Sequence, residues 1–208
     1  MELYLVRHGE TEMNRVDVFR GRSDPPLNET GLEQARAVGE SLARLDFQAF
    51  YASPLKRSMQ TAQAIADRHV SEVRPFPAFI DIDYGEWSGK SVEEVRSRWP
   101  REFSLWSESP AEVVFPGGES LAGAYARLSE GLAGLRQDYA QLVLVVGHKV
   151  VNRLILCICL GLGPEGMWRL DQSNGALNVV ESRGESWMIK RLNDVGHLSS
   201  CMSRDQLT

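Results

Sequence analysis

Two short apolar runs constrain this chain more than anything else in it: Leu3-Tyr4-Leu5-Val6 near the start and Leu142 to Val146 far downstream. Neither alternates with polar residues, so each predicts a strand covered on both faces, as in a layered α/β sheet. Each also stops at a histidine, in Arg7-His8-Gly9 and in Gly147-His148.

Helical patterns fill the space between such runs. Thr30-Gly31-Leu32-Glu33 has the spacing of a capping box, and Leu32, Ala35, Val38, Leu42 and Leu45 follow at helical intervals. Phe47 to Ala52 reads as another strand, after which Ser53-Pro54 predicts an N-cap with proline in the first helical position. A third apolar stretch, Phe76 to Ile82, ends at Asp83-Tyr84-Gly85. Ser91 to Glu94 is a second capping box, before a short helix that Pro100 closes. Leu121, Tyr125, Leu128, Leu132 and Leu135 mark a long one-sided helix, and Val151 to Leu160 a further helix stopped by Gly161. Ala176 to Val180 and Ser186 to Ile189 predict a closing hairpin or edge strands. With no internal repeat or linker, residues 1–198 read as one domain and residues 199–208 as a polar tail.

Charge bounds the partners. The chain has 208 residues with 23 Lys+Arg against 28 Asp+Glu, a net of -5, and no basic stripe. That balance argues against nucleic acid as a partner, and any local arginine cluster should serve something small and anionic. The first arginine follows only four apolar residues of the opening run, too few for a signal-peptide core, and no run approaches the length of a membrane span. Of the three cysteines, Cys157 and Cys159 lie in an apolar run without metal-binding spacing. These features predict a cytoplasmic protein with reduced thiols, no membrane association and no bound metal.

In a parallel α/β sheet, ligands bind beyond the carboxyl ends of the strands. Three loops meet that edge if their strands are parallel: Arg7-His8-Gly9, Ser53-Pro54-Leu55-Lys56-Arg57 and Gly147-His148. Two histidines and two arginines then converge. Guanidinium groups depress an imidazole's pKa and leave it a neutral nucleophile, while their forks match phosphate oxygens. The combination points to phosphoryl transfer through a phosphohistidine.

The residues Leu3 to Asn14, LYLVRHGETEMN, resemble the signature of the histidine phosphatase superfamily, which includes cofactor-dependent phosphoglycerate mutases and many phosphatases. The resemblance continues in order through Ser53 to Arg57 with Gln60-Thr61-Ala62, Asp83 to Gly89, Gly117 to Ser120 and Gly147-His148, and spans about residues 2 to 198. It implies a phosphoglycerate mutase-like fold: a three-layer α/β/α sandwich with a mostly parallel central sheet. It also implies His8 as the phosphorylated nucleophile, with Arg7, Arg57 and His148 completing the phosphate pocket, Asn14 contacting the phosphate, and no cofactor. The family's proton donor falls at Asp81, where most relatives carry glutamate; Glu86 and Asp83 stay open as alternatives.

The mutases of the family are longer, with an insertion over the phosphoglycerate, whereas only Asp67 to Ala78 separates the second helix from the acid segment here. The chain resembles the compact phosphatase branch, and within it the metal-independent phosphoserine phosphatases. It departs from them at Tyr84, where they have a histidine that meets the substrate carboxylate, and at Lys149, where a small or neutral residue is usual. Arg20 and Arg22 follow the first loop closely enough for one of them to reach the non-phosphate end of a substrate. The expected activity is hydrolysis of a small, carboxylated phosphorylated metabolite, phosphoserine-like or phosphoglycerate-like. A phosphoglycerate mutase and a non-catalytic phospholigand-binding module are the alternatives. The relatives' dimers imply a homodimer, for which Trp168 to Val180 offers an edge strand or apolar patch.

Overall fold

The strands β1 (Glu2–Arg7) and β4 (Leu142–Gly147) lie parallel at the centre of a six-stranded sheet, with Arg7 in register with Gly147. In the computed structural model, which describes residues 1–139 and 141–198, alternate side chains of both strands enter two separate cores. Leu3, Leu5, Val143 and Val145 belong to one, and Tyr4, Val6, Leu144 and Val146 to the other. That is why neither run carries a polar face.

Helices α1 (Glu29–Leu42) and α2 (Lys56–Ala66) pack on each other and supply Val38, Leu42, Ala62 and Ile65 to the second core. Helices α5 (Leu121–Asp138) and α6 (Lys149–Cys159) supply Leu128, Leu132, Leu154 and Ile155 to the first. The result is the expected α/β/α sandwich. Strands β2 (Phe47–Ala52) and β3 (Val73–Pro75) extend the sheet in parallel on one side of β4. Strands β5 (Leu177–Arg183) and β6 (Ser186–Asp194) form an antiparallel hairpin beyond β1, giving the order β3-β2-β4-β1-β5-β6.

Several local expectations change. The cap of α1 is Asn28, whose side chain accepts from the Gly31 amide at 2.9 Å, so the Thr30 capping box does not form. Helix α2 begins at Lys56 rather than Pro54: the Ser53 hydroxyl is bound to His148 at 2.7 Å, and the Lys56 amide at the helix start donates to Asp24 at 2.6 Å. The apolar stretch from Phe76 is a 3-10 turn and an extended passage; strand pairing ends at Pro75. By contrast, Ser91 accepts from the Glu94 amide at 3.1 Å as expected, and the helix it starts, α3 (Val92–Arg98), gives way to α4 (Pro100–Glu108) at Pro100. Because β5 lies between β1 and β6, the segment ending at Val180 presents no sheet edge; β6 does. The polar tail at 199–208 lies outside the described residues. Among those described, no helix is long and apolar enough to cross a membrane.

Candidate active site

The parallel register places the ends of β1, β2 and β4 side by side, and the three loops named from the sequence meet there. A cleft of about 300 Å³ opens there, lined by Arg7, His8, Arg57 and Asp81 among others. His148 stands beside His8, their ring centroids 5.2 Å apart. All five side chains are buried.

His8 donates from Nδ1 to its neighbour's carbonyl, Gly9 O, at 2.7 Å. A carbonyl only accepts, so Nδ1 carries the proton and Nε2 keeps its lone pair. The loop is held from several sides. The Gly9 amide donates to Thr61 on α2 at 3.1 Å, and the Gly175 amide and Asn174 side chain take up the carbonyls of Arg7 and His8. The first turn of α1 packs so closely here that a Cβ on Gly31 would strike Glu10, and one on Gly9 would strike Gly31.

Both histidines titrate well below the ordinary imidazole range. Burial is the larger cause, and the charge of Arg57 the next, so the cations reinforce a neutral state that desolvation already favours. His148 bonds Ser53 through Nε2, while its Nδ1 lies 3.5 Å from Asp81 Oδ2. Both arginines are anchored, and among the described residues each keeps one unpaired buried donor. Arg7 donates to Gln172 O at 2.6 Å and Arg57 to Gly21 O at 2.9 Å, yet the buried Nε of each has no partner among the described residues. Burial and then Arg20 press Arg7 down to about 9, still charged at neutral pH.

Asp81 Oδ2 accepts from Arg57 at 2.8 Å and Oδ1 from the Ile82 amide at 2.9 Å. Its pKa is nonetheless raised, because burial outweighs Arg57. The flanking segment is clamped: Arg127 donates to the carbonyls of Ala78 and Ile80, and Glu119 accepts from the Asp83 amide. Gly85 (φ +51°) and Gly118 let the two glycine-bearing loops touch backbone to backbone, since a Cβ on either would meet the other loop. Glu86 is exposed and does not line the cleft, and Asp83 is paired with Arg22 at 3.1 Å.

Asn14, Arg20, Tyr84 and Lys149 all line the same cleft. The Asn14 carbonyl is used by Thr11, which leaves its amide nitrogen for a ligand. Arg20 is anchored to Met13 O and Val16 O, whereas Arg22 binds Asp83 and the Asp81 carbonyl and belongs to the scaffold. Tyr84 is buried, edge-on to Phe19, Trp106 and Phe115, and Lys149 is exposed at the rim. Arg153 and Trp168 also line the cleft, and the sequence gives neither a role there. Arg153 is the single charged residue between Lys149 and Leu160, a signal in an otherwise apolar helix, and Trp168 follows that helix. Among the described residues, no group of three or more His, Cys, Asp or Glu side chains is placed to hold a metal ion.

A mostly parallel sheet carries at its strand ends a buried, neutral histidine beside two buried guanidinium groups, an arrangement that can hold an anionic phosphoryl group. The sequence profile of the histidine phosphatase superfamily (branch 1) matches residues 3–195, and the chain belongs to that family. It is a phosphoric monoester hydrolase. Phosphoserine phosphatase 1 of Hydrogenobacter thermophilus is 39% identical over 95% of this chain and 94% of its own length. A solved phosphoserine phosphatase mutant from Entamoeba histolytica, in complex with phosphoserine, superposes with a TM-score of 0.85 at 25% identity, over 95% of this chain and 98% of that one. A 2,3-bisphosphoglycerate-dependent phosphoglycerate mutase from Bradyrhizobium is 31% identical over 93% of this chain and 98% of its own length. That mutase aligns along nearly its whole length, so chain length does not separate mutase from phosphatase as the sequence reading expected.

Proposed function

We propose that this chain hydrolyses a small, carboxylated phosphate monoester through a phosphohistidine at His8, without a metal. The observation that carries the reading is the Nδ1 hydrogen bond of His8 to Gly9 O, which leaves Nε2 as the nucleophile beside the Arg7 and Arg57 guanidinium groups. Nε2 attacks phosphorus in line with the ester bond, the P–O bond breaks, and the leaving oxygen takes the proton of Asp81. Asp81, now ionised, accepts a proton from water as that water attacks the phosphohistidine, and the second displacement releases inorganic phosphate and restores His8. Arg7, Arg57 and His148 bind the phosphoryl oxygens, and Asn14 adds its amide. Arg20, Tyr84 and Lys149 face the rest of the substrate. Phosphoserine and phosphoglycerate are the class of substrate; the phosphoserine phosphatase relative and the phosphoserine-bound neighbour support it. The buried free thiols of Cys157 and Cys159 favour a cytoplasmic setting.

The test is hydrolysis of para-nitrophenyl phosphate with EDTA present, in the native chain and in His8→Ala. EDTA-resistant turnover that the substitution abolishes supports the reading, and full activity of the variant sinks it. The mutase relative supplies a second reading, in which the phosphohistidine returns its phosphoryl group to another hydroxyl. Formation of 2-phosphoglycerate from 3-phosphoglycerate with a bisphosphate primer would establish it.

A further inference from the structure

The cleft has a second cationic end that the phosphate chemistry leaves unused. Arg153 stands on α6 about one and a half turns beyond His148, and its guanidinium lies 5.6 Å from the centre of the Trp168 ring. It is only 9% exposed, and its buried Nε has no partner among the described residues. Its Nη2 donates to Asp171 Oδ1 at 3.2 Å, but Asp171 is 69% exposed. An ion pair with one partner in solvent contributes little and exchanges readily.

Nε and Nη2 form the side-on edge of a guanidinium, the edge that binds a carboxylate through two parallel hydrogen bonds. Asp171 occupies half of it. Arg153 shares the cleft with Arg20 and Lys149, and its charge reaches Lys149, whose pKa is lowered by partial burial and then by Arg7 and Arg153. Tyr84 cannot do the same work. Burial holds its phenol well above the ordinary tyrosine value, so it meets an anion as a neutral hydroxyl.

We propose that Arg153 is the specificity-determining residue that binds the carboxylate of the substrate's alcohol portion, displacing Asp171 and engaging both Nε and Nη2. The proposal rests on the phosphatase reading of the His8 pocket and names the group that reads the far end of the ester. Trp168 holds the guanidinium flat while the exchange takes place.

The test measures kcat and KM on matched esters, phosphoserine with phosphoethanolamine and 3-phosphoglycerate with glycerol 3-phosphate, which differ in the carboxylate. Arg153→Met keeps the stem on Trp168 and removes the charge. It should raise KM for the carboxylated esters about ten- to a hundredfold, with kcat nearly constant and the uncarboxylated esters unchanged within about twofold. Arg153→Lys should restore part of the loss. Equal losses on both members of a pair, or no loss on either, overturn the proposal. Asp171→Asn, at an exposed position, is the independent arm. It should lower KM for the carboxylated esters alone, and an unchanged KM contradicts the exchange even if Arg153→Met fails to fold. A native enzyme that turns over para-nitrophenyl phosphate without preferring the carboxylated esters refutes this inference and leaves the phosphatase reading standing. Turnover of no ester at all refutes both.

Discussion

Asp81 and Arg57 form a buried ion pair, Oδ2 to Nη2 2.8 Å, with the arginine side chain 1% and the carboxylate 12% exposed. The pairing favours the carboxylate and burial favours the carboxylic acid, and burial wins. A group that keeps its proton to a higher pH than a surface carboxylate can serve the proposed mechanism twice, protonating a leaving oxygen and then accepting a proton from water.

Asp81→Asn should therefore lower steady-state kcat for alkyl phosphate esters by about 10²–10⁴, the range of general acid–base catalysis. Para-nitrophenolate leaves without a proton, so a rapid-mixing burst of nitrophenol should survive in the variant even as later turnover slows. Glu86→Gln should stay within about twofold of the native rate, as exposed positions outside a site usually do. An equal loss of burst and turnover, or a larger loss at Glu86, contradicts the assignment.

Stability should fall on acidification because of the histidine pair. His8 and His148 titrate well below about 6.5, their unfolded value, so between the two values the unfolded chain binds more protons than the native one. Stability is then lost as pH drops from about 6.5 toward the folded pKa values. Asp81, raised in the native state, acts in the opposite direction below its folded pKa and offsets part of this. In urea denaturation at about pH 7 and about pH 5.5, His148→Gln should lose less stability between the two conditions than the native chain. Equal losses would mean that the pair is not held neutral.

The close approach of α1 to the His8 loop predicts a backbone-limited position. In Gly31→Ala the new methyl would strike the Glu10 backbone, which cannot retreat without moving Gly9 and His8. Overpacking of this kind costs about 1–3 kcal/mol, and the variant should show both a lower Tm and a reduced kcat on para-nitrophenyl phosphate. Unchanged values in both would show that the loop yields freely.

The central fold was legible because β1 and β4 are buried on both faces and so read as unbroken apolar runs. The convergence of Arg7, His8, Arg57 and His148 followed from parallel pairing, and the register of Arg7 with Gly147 realises it. Contacts between distant segments were not legible. Nothing local to Ser53 shows that its hydroxyl binds His148 instead of capping α2, and nothing near Asn28 shows that it displaces Thr30 as the cap. The lowered histidine pKa values were expected from the arginines, but their larger cause, burial, depends on tertiary packing. Arg153 left a trace as a charge in an apolar helix, yet its relation to Trp168 and Asp171 exists only in the folded chain.

The proposed mechanism requires a covalent phosphoryl group on His8. The direct measurement is rapid alkaline quenching of the enzyme with a phosphorus-labelled ester during turnover, followed by peptide mapping. Acid-labile, alkali-stable label is expected on the peptide containing His8, enriched in Asp81→Asn, where hydrolysis of the intermediate is slowed, and absent in His8→Ala. Label on another residue, or no label in either the native chain or Asp81→Asn while substrate is being hydrolysed, would contradict it.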